Sequence, residues 1–253
     1  ILYTGGSGNG GGLILQGCKL AGNNSVVDGG GLYGAFYGDT FEAHNCDIRS
    51  NNVNIGYGGG FYLDFATPII GDCNFEDNQA QEGGAIAGVD LVVNIYNSNI
   101  TGNAAVAPSG IGGGLALWNT TGNITNCTLK SNSAAENGGA VFSEGWVREP
   151  LNFSNCLITD NTANLEGGGL SNNTGAWMQL NNCTVAYNSA TNPLYGTGGG
   201  VSDAEYYAWV EIENSILWGN SAPHGRQIAV GSIFGSSPDP GGAFADVDVS
   251  YSD

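Results

Sequence analysis

Cations are scarce in this chain. Five Lys and Arg residues stand against 23 Asp and Glu, a net charge of −18 over 253 residues. A face that grips phosphates needs clustered cations, so the balance excludes nucleic acid and anionic membranes as partners. The acidic charge suits the solubility of a long repetitive β-protein. Helix-forming runs are also missing, and no stretch offers an apolar stripe at i, i+3, i+4 and i+7. No run of 18 apolar residues occurs, so no membrane insertion is expected. There is no signal-peptide pattern, no Cys-x-x-Cys and no leucine-rich consensus.

What is abundant is glycine, 44 residues of it, alongside asparagine and short β-branched runs, which is strand-and-turn chemistry. These residues recur in a fixed order. Cys/Ser-x-apolar-x-x-Asn appears eight times, beginning at Cys18, Cys46, Cys73, Ser98, Cys127, Cys156, Cys183 and Ser215. The spacings are 28, 27, 25, 29, 29, 27 and 32 residues. Gly-Gly-Gly/Ala-apolar follows seven of them, ending at Leu32, Phe61, Ile86, Leu115, Val141, Leu170 and Val201. Self-similarity at this period signals a solenoid. The expected fold is all-β, a single right-handed parallel β-helix of about eight coils stacked about 4.8 Å apart. One domain is expected over 1–253: an irregular, Gly-rich lead-in at 1–14, regular repeats at 15–220 and an irregular end at 221–253.

The register predicts ladders. Leu20, Ile48, Phe75, Ile100, Leu129, Ile158, Val185 and Leu217 should stack inward. Asn23, Asn51, Asn78, Asn103, Asn132, Asn161, Asn188 and Asn220 should stack at a turn, where Asn tolerates the left-handed region and bonds local backbone. The Gly pairs suit a second tight corner or close approach of coils. All six cysteines, Cys18, Cys46, Cys73, Cys127, Cys156 and Cys183, hold one repeat position. Only neighbouring coils could bridge them, giving two disulfides at most, and parallel Cβ vectors fit the disulfide dihedral poorly. A ladder of small buried thiols is the expectation.

Two motifs resemble known families. FEDN at 75–78 with GGAI at 83–86 resembles the repeats of the polymorphic outer-membrane proteins, β-helical autotransporter adhesins. SILWGNSAPHGRQIAV at 215–230, followed by ADVDVSYSD at 245–253, resembles the choice-of-anchor Q domain of secreted, surface-anchored, pectin-lyase-like bacterial β-helices. The resemblance implies an extracellular or cell-surface location, and a chain cut from something larger, because that C-terminal pattern normally continues past SYSD. It supplies no catalytic motif to carry over.

Polysaccharide-cleaving β-helices use acidic clusters with a cationic base. Here the cations are scattered and neither His44 nor His224 stands in such a context. Asp64, Asp90 and Glu144 follow the Gly-Gly-apolar element by three to four residues and form the one alternative catalytic set, useful only at defined separations. An aromatic series occupies the same variable stretch: Phe36/Tyr37, Phe65, Trp118, Trp146, Trp177, and Tyr206/Tyr207/Trp209. Exposed, these rings would be a platform for sugar rings; inward, they would fill wide coils. Their offset drifts from four to eight residues, so one inward register cannot hold them all. Trp118, Trp146, Trp177, Tyr207 and Trp209 are the candidate carbohydrate contacts. Glycosylation sequons occur at Asn23, Asn99, Asn119, Asn123, Asn152 and Asn172, and also at Asn126 and Asn182 within the Asn-Cys-Thr corner. No cofactor or metal is expected; GGSGNGGGL at 5–13 resembles a single calcium-binding nonapeptide with Asn for Asp, a weak signal for Ca²⁺. The expected role is non-enzymatic: a structural or adhesive module whose partners are surface glycans or further copies stacked head to tail, as in a stalk or fibre. Carbohydrate binding, or lyase or hydrolase action on the lateral face, is the alternative.

Overall fold

The computed structural model describes residues 1–5, 11–204, 206–231 and 246–250. They form one parallel β-solenoid of four sheets, with nine, nine, eight and seven strands. Among these residues there is no helix. Each coil visits the sheets in turn. The third coil runs Ile86–Val89, Val92–Tyr96, Asn99–Thr101 and Ala104–Ala105. Every strand between the two ends of a sheet pairs in parallel with its equivalents in the coils before and after; Phe75 sits opposite Ile48 and Ile100. The solenoid extends beyond 15–220 on both sides. Leu2–Thr4 and Gly12–Gln16 pair with the following coil, so the lead-in is not wholly irregular, and Ile228–Val230 and Asp246–Ser250 add a last coil.

The inward ladder is continuous from Leu20 to Val185, all buried, and Leu217 at the far end is partly buried. Two further ladders face it from the first and second sheets, including Phe61 and Phe41. Phe41, Phe61 and Phe75 meet edge to face at 5.5 and 5.1 Å. Each such side chain contributes about 1.5–3 kcal/mol through burial. The fourth sheet is lined by a separate cluster of small residues, Ala105, Ala134 and Ala163.

Four corners per coil turn the chain, and each holds a residue at positive φ. At the corner ahead of each ladder asparagine, that residue is Gly22, Ser50, Asp77, Gly102, Ser131, Asp160, Tyr187 or Gly219, at 51° to 68°. The left-handed residue is thus the one before the asparagine, not the asparagine itself. This frees the ladder Asn side chain for hydrogen bonding. The backbone N–H and Nδ2 of Asn78 both donate to Oδ1 of Asn103 at 3.0 Å, and Nδ2 also donates to the Ile48 carbonyl at 2.9 Å. The same pattern repeats from Asn51 to Asn188.

The cysteine column has a matching explanation. The Cys73 thiol donates to the Gly71 carbonyl two residues back at 3.2 Å, and Ser98 donates to Tyr96 in the same way at 2.8 Å. Ser98 and Ser215 can therefore occupy the column because a hydroxyl makes the bond that a thiol makes. All six thiols are free. Burial pushes Cys73 up to about 12. Hydrogen bonding within the stacked trio lowers Cys127 and raises Cys156 and Cys183. Five of the six are buried and Cys18 is partly exposed. A thiol reagent on the folded protein is therefore expected to modify Cys18 alone, with the rest following only on denaturation. Mass spectrometry showing several early adducts would contradict this.

Candidate functional site

Among the described residues, four aromatics stand at positive φ; Tyr187 is alone at the corner ahead of the asparagine ladder, and the other three share the corner between the first and second sheets. Its positive-φ residues are Tyr37, Phe65, Asp90, Asn119, Gly145, Gly175 and Tyr207. Asp, Asn and Gly adopt this region readily; a bulky L-residue there costs roughly 1–2 kcal/mol. Three aromatics nevertheless hold it, at φ 46°, 49° and 58°. Their rings are not buried in return: Tyr37 is 52% exposed, Phe65 44% and Tyr207 52%.

The rings are ordered in two platforms. Tyr37 stacks on Phe65 at 5.1 Å, across the first two coils. In the fifth coil an insertion follows Gly145. The Trp146 amide donates to Asn119 Oδ1 at 3.2 Å, and its ring, 66% exposed, lies across Gly175 in the sixth coil. A Cβ on Gly175 would come within 2.8 Å of that indole, so the bare glycine lets the ring cross to Tyr207 in the seventh coil, at 5.3 Å. Just past the corner, on the outer face of the second sheet, Trp177 and Trp209 stack at 5.4 Å and 17°. Trp146, Trp177, Tyr207 and Trp209 are thus brought together.

Trp118 is not among them. It points outward from the first sheet and is partly buried between Tyr57 and Phe142, at 5.8 and 6.3 Å. Tyr57 also stacks on Tyr62, which meets Tyr33. Ala87 and Ala116 occupy the outward register beside Tyr62 and Phe142, yet are fully buried. Trp118 belongs to this outer apolar layer. The layer was missed from the sequence, although Tyr33, Tyr62 and Phe142 each stand one residue after a Gly-Gly-Gly/Ala-apolar element.

The carboxylates do not form an acid–base pair with Glu144. Asp64, Val89, Trp118 and Glu144 share one outward column, which sets Asp64 and Glu144 three coils apart. At about 4.8 Å per coil that is about 14 Å, beyond the range in which two carboxyls flank one glycosidic bond. Asp90 is at the exposed corner one coil from Asp64. Burial first, then the charge of Asp90, pushes the Asp64 carboxyl above the usual range, against a bond from the Phe65 amide. Glu82, not singled out from the sequence, is also raised by burial; the Ser109 hydroxyl donates to it at 3.1 Å and opposes the shift, while Glu136, Asp28 and Glu144 add to it. Ion pairs join His44 to Glu42, Arg49 to Asp47 and Lys130 to Asp160.

A raised carboxyl has a definite consequence for stability. The folded state of Asp64 binds its proton more tightly than the unfolded state, so stability rises as pH falls from neutral through the folded pKa. Glu82 acts in the same sense. Asp64→Asn is expected to flatten part of that rise in the urea midpoint. Identical pH profiles for the two proteins would contradict it.

The sequons divide by burial. Asn23, Asn99, Asn119, Asn123, Asn126 and Asn182 are exposed or nearly so, and Asn152 is partly buried. Asn172 points into the solenoid, fully buried, and its Nδ2 donates to Asp203 Oδ1 and to the carbonyls of Ala176 and Trp209. It is closed to modification in the folded chain. Among the described residues no cluster of three or more His, Cys, Asp or Glu could hold a metal ion, and residues 6–10 of the calcium-like nonapeptide lie outside them. No protein-family model, curated protein or solved structure matches this chain, so its placement rests on the fold itself: a parallel β-solenoid repeat protein.

Proposed function

We propose that this chain is a non-enzymatic, extracellular adhesive solenoid that holds a saccharide along the corner between its first and second sheets. The observation that supports this reading is the set of exposed rings kept at positive φ. Neighbouring coils turn the same corner with Asp90, Asn119 and Gly175, so folding does not demand Tyr37, Phe65 or Tyr207 there. A strained, solvent-facing aromatic argues for a binding role. Flat rings with hydrogen-bonding Asn and carboxylate neighbours suit a pyranose, which offers an apolar face and a rim of hydroxyls. The extracellular placement rests on the two motif resemblances and on a composition poor in Lys and rich in Gly and Asn. An enzymatic reading gains nothing from Glu144, which stands about 14 Å from Asp64, too far for the two to act together.

Retention on immobilised glycans, compared by affinity electrophoresis, tests the proposal. Trp146→Ala combined with Tyr207→Asn is expected to weaken retention at least about tenfold, equivalent to about 1.4 kcal/mol. Tyr207→Asn places at the corner the residue type that Asn119 already supplies, so the far-ultraviolet spectrum should not change. Unaltered retention in a folded double variant would sink the reading.

A further inference from the structure

We infer that the ligand is an extended linear polysaccharide without carboxylates, long enough to lie on both aromatic platforms at once; this rests on the glycan reading above. The two platforms stand on one corner column. Tyr37 and Phe65 belong to the first and second coils, Trp146 to the fifth and Tyr207 to the seventh. Three coils separate Phe65 from Trp146, about 14 Å, and six separate Tyr37 from Tyr207, about 29 Å. Between the platforms the corner carries Asp90 and Asn119, both exposed and without a ring. A short sugar can occupy one platform only. A chain that runs along the solenoid axis meets rings at each end and hydrogen-bonding side chains between them. Its second contact is then intramolecular, with the gain in affinity that tethering brings.

Charge sets the class of sugar. Asp64, Asp90, Glu144 and Glu149 lie on or beside this corner, against Arg148 as the nearby cation, and the whole chain carries −18. A polyuronate laid along the corner would meet like charge along its length, at a cost to encounter and to binding. An uncharged chain would not.

The test is calorimetric titration of the full chain with a length series of neutral gluco- and xylo-oligosaccharides, and with oligogalacturonates of matched length. The expected result is a rise in affinity of at least tenfold once the oligomer spans the gap, with oligogalacturonates much weaker at low salt. Tyr37→Asn with Phe65→Asp should abolish the rise and leave short oligomers only the Trp146–Tyr207 platform, halving their stoichiometry; both replacements use residue types that turn this corner in the third and fourth coils. Affinity independent of length, yet still lost in Trp146→Ala, would overturn the two-platform inference and leave the glycan reading standing. Oligogalacturonates binding as tightly as neutral chains would overturn the charge selection. No binding by any oligomer would overturn the reading beneath it. If sedimentation showed that the ring variants change self-association instead, the corner would be a contact between copies and the inference would fall.

Discussion

Asn103→Ala is expected to be among the most damaging single substitutions in this protein. Asn103 is fully buried in the middle of the asparagine ladder. Its Oδ1 accepts from both the backbone N–H and Nδ2 of Asn78 at 3.0 Å. Its Nδ2 donates to the Phe75 carbonyl at 3.0 Å and to Asn132 Oδ1 at 3.0 Å. Alanine supplies none of these bonds and leaves too little room for several waters. The Asn78 amide would be stranded in the interior, while the Phe75 carbonyl, which sits in the paired strand, Asn78 Nδ2 and Asn132 Oδ1 would each lose one partner. At about 1–3 kcal/mol for the stranded amide and about 0.5–1.5 kcal/mol for each of the other lost bonds, the loss should be about 3–6 kcal/mol. The position matters as much as the chemistry. Asn23, at the exposed end of the ladder, only donates to Asn51, and its replacement leaves no buried donor behind. Asn23→Ala should therefore cost well under half as much. Urea unfolding followed by tryptophan fluorescence would decide the matter, and equal losses at the two sites would mean that the ladder bonds are not what holds the coils in register.

Much of this was legible in the sequence because a solenoid repeats its constraints. Eight equivalent asparagines cannot be read as chance, and the apolar residue three positions earlier had to point inward. Other features were visible but unread. The residues before the Cys/Ser column are Gly17, Asn45, Asp72, Asn97, Asn126, Asn155, Asn182 and Asn214, every one at positive φ between 48° and 60°. That column of Gly, Asn and Asp is a turn signal in its own right. Gly225 to Ile228 is likewise an eighth Gly-x-x-apolar corner, with Gly225 at φ 59° and Ile228 paired to Val201, though Arg226 and Gln227 conceal it. The aromatic series could not be sorted from sequence. Whether a ring is core or surface depends on how the variable corner routes the chain: Phe36 goes inward to pack on Phe41, while Tyr37, its neighbour, goes outward to Phe65. Trp118 and Trp146 differ for the same reason, one lying within a strand and the other just past a corner glycine.

The second severe prediction concerns the middle glycine of each Gly-Gly element. The first glycine of the element, from Gly29 to Gly225, is needed for its dihedral, at φ 59° to 68°. The second has an ordinary φ and is needed for its size. A Cβ on Gly113 would lie 2.4 Å from the carbonyl oxygen of Gly139 in the next coil and 2.4 Å from that of Ser133. Both are backbone atoms, fixed in ladders of their own, so neither can rotate aside. Gly113→Ala must push two coils apart, and the Gly113 amide bond to the Gly138 carbonyl, now 3.0 Å, would open with it. A loss on the order of 3 kcal/mol follows from overpacking against rigid neighbours. Gly22 provides the contrast: it has φ 68° but nothing within 4 Å of the place a methyl group would take, so Gly22→Ala should lose only the dihedral preference, about 1 kcal/mol. Because each coil touches only its neighbours, damage at Gly113 should also be local. Native-state hydrogen exchange should show faster exchange at Gly113, Gly138 and Gly139 while the first two coils keep their protection. Uniform loss of protection along the whole stack would show instead that the solenoid opens as one cooperative unit, and the separation of glycine roles could then be read only from the size of the two losses.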